Sequence, residues 1–205
     1  MPQIAKVLII VFSAIILLII FSLITYRIIK KHNDKKTILT VEQLLLNLSK
    51  ENPKRHFNKA LKVKGENVPY DYVFYAEDKI LFIKIIPNSG NAEICVNNSV
   101  KWQIRKSIDD RSLNFVPNVE KFMRYKITND DCKDVKITSE YKAYKIFLIY
   151  PNARSLLRYI NECEMEFVYP QTDVYGTRII TYKALNEHHE LLFNLEEKEK
   201  NVFFK

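Results

Sequence analysis

An α/β domain, with a mixed β-sheet and flanking helices, preceded by one N-terminal transmembrane helix, is the architecture the sequence predicts. Three observations carry it. Residues 7–26, VLIIVFSAIILLIIFSLITY, run for twenty positions without a charge. Short apolar stretches rich in Tyr, Phe and Ile follow one another over 70–96, separated by turn residues. From 118 to 195, helix-like and strand-like segments alternate. A meander followed by strand–helix–strand–helix is the order of a mixed sheet with helices packed on it.

The apolar run comes first. A helix rises about 1.5 Å per residue, so twenty residues span roughly 30 Å, the hydrocarbon thickness of a bilayer. Lys6 and Arg27 bracket it. A buried core helix of this length would show a polar stripe, and this one has none. A cleaved signal peptide would have a shorter apolar core and a small-residue cleavage site, whereas here RIIKKHNDKK follows. Arg27, Lys30, Lys31, Lys35 and Lys36 lie after the span, and only Lys6 and the amino terminus before it. The positive-inside rule therefore predicts a single-pass cell-membrane protein with residues 1–6 as a short extracytoplasmic tail. Residues 27–40 form a basic juxtamembrane linker, and the C-terminal domain lies in the cytoplasm. The same five cations suit the anionic lipid headgroups of the cytoplasmic leaflet.

The formal net charge of +8 invites a nucleic-acid reading until it is located. Residues 1–40 hold six basic residues and one acid, so 26 basic and 23 acidic residues are left for the domain, a balance of only +3. Most of the basicity belongs to the membrane segment, and charge alone does not claim DNA or RNA. Residues 41–195 are the length of one ordinary domain, with 196–205 a polar tail. Cys95, Cys132 and Cys163 have no metal-like spacing, and their odd number suits a reducing compartment. His188 and His189 are adjacent, so on a helix they point to different sides, which argues against a shared metal. His32 and His56 stand alone. There is no Gly-rich phosphate loop, GxSxG elbow or HExxH.

Along the domain, residues 33–40 read as a polar connector. Thr40 is the expected N-cap of a helix to about Ser49, with Leu44, Leu45 and Leu48 on its apolar face. His56 to Val63 is a candidate first strand, with a turn at Gly65-Glu66-Asn67. YDYVFY (70–75) and ILFIKII (80–86) are strong strands joined by a hairpin turn, and AEICV (92–96) is expected as the third strand of that meander. A helix is predicted from Asn118 to Tyr125 and a polar loop from Thr128 to Lys142. After it come a buried strand KIFLIY (145–150), an amphipathic helix ARSLLRYINEC (153–163), a strand EFVY (166–169) and a last helix from Thr181 to Leu195.

Tyr70-Asp71-Tyr72-Val73-Phe74, a turn, Ile80-Leu81-Phe82-Ile83-Lys84, a Gly-containing turn and Trp102 together resemble the nuclease-related domain family, a branch of the PD-(D/E)xK group with a restriction-endonuclease-like fold. KIFLIYPNA, the helix after it and EFVY are similar to that family's closing section, so the resemblance covers residues 41–192. It implies an Asp on one strand and a Glu-x-Lys on the next as the metal and catalytic site. Asp71 matches the metal-binding Asp and Lys84 the Lys. Phe82 stands where the acidic ligand is needed, and Glu42 is similar to an acid on the family's first helix.

That departure matters chemically. Phosphodiester hydrolysis needs a divalent cation held by carboxylates, to activate water and offset phosphate charge. Positions i and i+2 of a strand share a face, so Glu-x-Lys would place ligand and charge stabiliser together. Here Phe82 and Lys84 share that face with Ile80 and Ile86. If the domain is active, Mg2+ or Mn2+ would rest on Asp71 and Glu93, with Glu77 and Asp78 at the hairpin tip as further candidates.

Asp71 reads equally as a solvent-facing strand residue, Lys84 as a snorkelling edge lysine, and Trp102 as core. The expectation is a membrane-anchored cytoplasmic protein with a degenerate, inactive nuclease-related domain in a binding or scaffolding role, needing no cofactor. The alternatives are an active metal-dependent nuclease acting on DNA or RNA, and an unrelated membrane-assembly accessory module. Any nucleic-acid binding should be weak, through Lys101, Arg105, Lys106 and Arg111. Asp71 and Lys84 are expected to lie within reach of each other.

Overall fold

The computed structural model describes residues 3–59, 68–107, 109, 114–116, 119–127, 142–161 and 164–195. The chain divides into two compact units, Met1–Thr40 and Val41–Lys205. Helix α1 (Gln3–Lys50) contains the apolar run. Its most apolar window has mean hydropathy 3.4 and is not buried at all, so α1 is long and apolar enough to cross a membrane. Ser13 and Thr25 donate their hydroxyls to the carbonyls of Ile10 and Phe21, each at 2.8 Å, which satisfies them inside the helix.

The predicted connector at 33–40 is helical instead. Nothing between Arg27 and Thr40 is Gly or Pro, and a helix continuing through polar residues avoids the cost of a new nucleus. Thr40 is accordingly an interior residue, its hydroxyl bonded to Lys36 O at 2.9 Å, and not an N-cap.

The second unit is α/β with two mixed five-stranded sheets. In the first, β1 (Arg55–Lys59), β2 (Tyr72–Ala76) and β3 (Lys79–Pro87) are antiparallel neighbours. β7 (Lys142–Tyr150) and β10 (Thr177–Thr181) add in parallel, giving the order β1-β2-β3-β7-β10. The β2–β3 turn is Glu77-Asp78, with Glu77 at φ 56°. In the second, β4 (Glu93–Val96), β5 (Trp102–Arg105), β6 (Asn114–Phe115), β8 (Ser155–Asn161) and β9 (Glu164–Phe167) run in the order β6-β5-β4-β8-β9.

AEICV is therefore not a third strand of the meander. Both edges of β3 are taken, one by β2 and the other by β7, so no ladder is left for β4. The chain leaves through Asn88, whose side-chain amide donates to Asn152 O (2.8 Å) and Ala92 O (3.3 Å), and through Gly90 at φ 82°.

Within ARSLLRYINEC, residues 155–161 are likewise a strand, β8, and not a helix. It lies parallel to β4 and antiparallel to β9, so its backbone groups are satisfied by neighbours on both sides. The Leu-Leu and Tyr-Ile pairs that read as a helical stripe put alternate residues on opposite faces. The predicted last helix is two pieces, α3 (Tyr182–Glu187), capped by Thr181 accepting from Ala184 N, and a 3-10 turn (His189–Leu192). α2 (Val119–Arg124) lies within the predicted 118–125 segment. Residues 60–67 of the predicted first strand and turn, 128–141 of the polar loop, and the tail 196–205 lie outside the described residues.

The first sheet is the middle layer of this unit. Tyr72, Phe74, Leu81, Ile83, Ile146, Leu148 and Ile180 pack with Val41, Leu44, Leu45 and Leu48 of α1 and with Leu185 and Leu192. On the other face Val73, Ile80, Phe82, Ile86, Phe147 and Ile179 meet Ile94, Val96 and Trp102 of the second sheet and Phe122 of α2. β3 and the second half of β7, Ile146–Ile149, are apolar on both faces because both faces are covered there. In β3, Lys84 is the break in that run.

Candidate functional site

Asp71 and Lys84 meet. The Asp71 amide donates to Ile83 O at 2.7 Å, which continues the β2–β3 ladder by one residue. Its carboxylate then does what the next backbone carbonyl would do, since Oδ2 accepts the Ile85 N–H at 2.7 Å. Oδ1 faces Lys84 Nζ at 3.5 Å, with the lysine side chain 16% exposed and the aspartate 34%. A half-buried ammonium on an apolar strand requires such a partner.

One residue on, the Tyr72 hydroxyl donates to Glu42 Oε1 at 3.0 Å, and Lys59 Nζ pairs with the same oxygen at 2.8 Å. Burial pushes the Tyr72 phenol well above its ordinary pKa, and the Glu42 hydrogen bond and the charges of Glu42 and Asp71 add to that. Tyr72 and its partners Glu42 and Lys59 lie on the α1 face of the sheet, and the Asp71–Lys84 pair lies on the opposite face, so two separate polar contacts flank the start of β2.

Phe82 takes no part in it. The side chain is fully buried and packs edge-on against Tyr70, with centroids 5.2 Å apart. Glu93, the candidate second ligand, sits on the second sheet, where Oε2 accepts from Ser155 Oγ at 2.6 Å and Oε1 pairs with Arg105. Glu77 bonds Arg55 Nη2 at 3.0 Å, and Asp78 bonds Lys79 Nζ at 3.0 Å, which holds the Asp78 carboxyl below its usual range. Among the described residues, no three His, Cys, Asp or Glu side chains gather as a metal ligand set.

The basic candidates separate into two kinds. Lys101 and Lys106 are exposed, while Arg105 is committed to Glu93. Arg111, Cys132 and Cys163 lie outside the described residues. Cys95 is a free, half-buried thiol pushed up by burial and then by Glu93. His56 stacks on Tyr75 at 4.2 Å, and His188 and His189 are exposed.

Two features had no separate sequence signal. Lys145, at the start of KIFLIY, is half-buried and donates to Met123 O at 3.0 Å and Phe122 O at 3.4 Å, the last carbonyls of α2. Burial lowers its pKa. Beside α2 and the β5–β6 edge lies an open groove of about 800 Å³, lined by Lys101, Trp102, Phe115, Val119, Lys121 and Tyr125 among others. Its residues come from two separate segments, Val100–Trp102 and Phe115–Tyr125, which no local pattern joins.

Compared with family models, with curated proteins and with solved structures, the chain finds no match. The α/β architecture with its long apolar N-terminal helix thus stands on the chain's own residues.

Proposed function

We propose that the chain is a single-pass membrane protein whose domain faces the cytoplasm, belongs to the nuclease-related, restriction-endonuclease-like group in degenerate form, and serves as a binding or scaffolding module. The observation that carries the non-catalytic part is the state of Asp71. One carboxylate oxygen is held by the Ile85 amide and the other faces the Lys84 ammonium, while Phe82 is a core side chain. A hydrolytic site needs carboxylate oxygens turned toward a cation, with a second acid beside them. Here the acid closes a β-ladder and neutralises a lysine. The family reading is supported by Asp71 and Lys84 lying 3.5 Å apart on neighbouring strands β2 and β3. The cytoplasmic placement is supported by the five cations between Arg27 and Lys36.

The test is cleavage. Purified full-length protein, incubated with Mg2+ or Mn2+ and with single- and double-stranded DNA and RNA, should leave all four intact. Turnover that disappears in Asp71→Asn would replace the binding role with metal-dependent nuclease activity.

A further inference from the structure

We propose that the groove beside α2 takes a short acidic segment of a partner protein, seating an apolar side chain on its floor and carboxylates on Lys101 and Lys121. This rests on the reading of the domain as a binding module and names its ligand class.

The charge of the groove is the first argument. Glu120 and Arg124 are one helical turn apart and pair at 2.6 Å, so they cancel. Lys101 and Lys121 line the same groove, both exposed, and neither has a carboxylate partner among the described residues. Two uncompensated cations flank a floor built from Trp102, Val116 and Val119, each buried, with Phe115 exposed at the rim. Anionic ends with an apolar middle complement that pattern. At about 800 Å³ the groove falls within the range of ligand sites, roughly 300–1,000 Å³.

Trp102 closes the floor of the groove. Its ring is 1% exposed, yet its Nε1–H has no hydrogen-bond partner among the described residues. That atom is itself buried, so the indole serves as the groove's floor, and the ligand's contacts fall on Lys101, Lys121 and Phe115 at the rim. β6 offers a further handle. It is the edge of the second sheet, and the described residues place no strand on its outer side. An extended peptide can pair with such an edge through its main chain while its side chains enter the adjoining groove.

Nucleic acid fits less well. Stacking needs exposed ring faces, and Trp102 has none to give. Two free lysines and a domain balance of +3 are also little charge to follow a phosphate backbone.

Trp102 is the single tryptophan of the chain, so intrinsic emission reads the groove directly. The full chain in dodecyl maltoside micelles is titrated with a blocked hexapeptide carrying two glutamates on each side of Leu-Phe. Saturable change in emission is expected, with no change for the same peptide bearing lysines. Lys101→Glu with Lys121→Glu should weaken binding about tenfold. Phe115→Ala, at an exposed site, should weaken it without altering the melting temperature. No response to the acidic peptide, or affinity unchanged by the charge reversal, would overturn the assignment. So would saturation by oligo-thymidylate, or by added phosphatidylserine, in place of the peptide. Cleavage is scored separately, and a chain that neither cleaves nor binds this peptide loses only the groove assignment.

Discussion

Asp71 shows how one side chain holds two incompatible neighbours in place. It supplies an acceptor to the Ile85 amide and a counter-charge to Lys84, both at the end of β2. Replacing it with Ala leaves a strand N–H and a half-buried ammonium without that partner, at a cost of about 1–2 kcal/mol after allowing for solvent access. Thermal melts of Asp71→Ala should therefore drop by roughly 2–8 °C. Adding Lys84→Met, which removes the stranded charge, should recover part of the loss; a purely additive double variant would contradict the pairing. The Asp71–Lys84 proximity was legible because alternation in ILFIKII and the hairpin register together place position 84 opposite 71. The role of the carboxylate on Ile85 was not legible, because a side chain imitating a ladder carbonyl leaves no trace in the residue pattern. Lys145 gives a pH signature. Its folded-state pKa is lowered by burial, so between that value and the ordinary 10.5 the unfolded chain binds more protons. Stability should accordingly rise with pH across that alkaline window relative to a Lys145→Met variant, as read from paired melts between about pH 8 and 10. A flat difference would show that burial does not penalise the Lys145 charge.

At the scale of elements, segments whose apolar pattern matched their final environment were readable from sequence. β2, β3 and the second half of β7 are apolar stretches in a covered sheet, and α2 lies within its predicted bounds. β8 was not, because ARSLLRYINEC has Leu spacing that serves a helix equally well, and only pairing with β4 and β9 decides it. β10 is five residues, TRIIT, with the hydroxyl of Thr181 also capping α3, so strand and cap overlap in one short signal. The continuity of α1 is the third case, since charged residues near 33–36 mimic a linker although they are compatible with helix. Spin labels at Leu23 and Leu39, sixteen residues apart, should give a backbone separation of about 24 Å if α1 is unbroken between them. A broad distribution would restore the connector.

For the molecule as a whole, the basic residues Arg27, Lys30, Lys31, Lys35 and Lys36 and the apolar run before them argue for one topology. Protease added to intact cells should spare residues 41–205 and digest them only after lysis; digestion in intact cells would place the domain outside. Within that topology, the proposal is that the domain binds without hydrolysing, with Asp71 engaged by the Ile85 amide and Lys84. Titration of Mn2+ into the full-length protein, followed calorimetrically, tests this most directly. With Asp71 held by Ile85 and Lys84, no saturable binding that depends on Asp71 is expected. Stoichiometric Mn2+ binding that Asp71→Asn abolishes would contradict it, since it would mean that the carboxylate leaves its ladder to hold a metal.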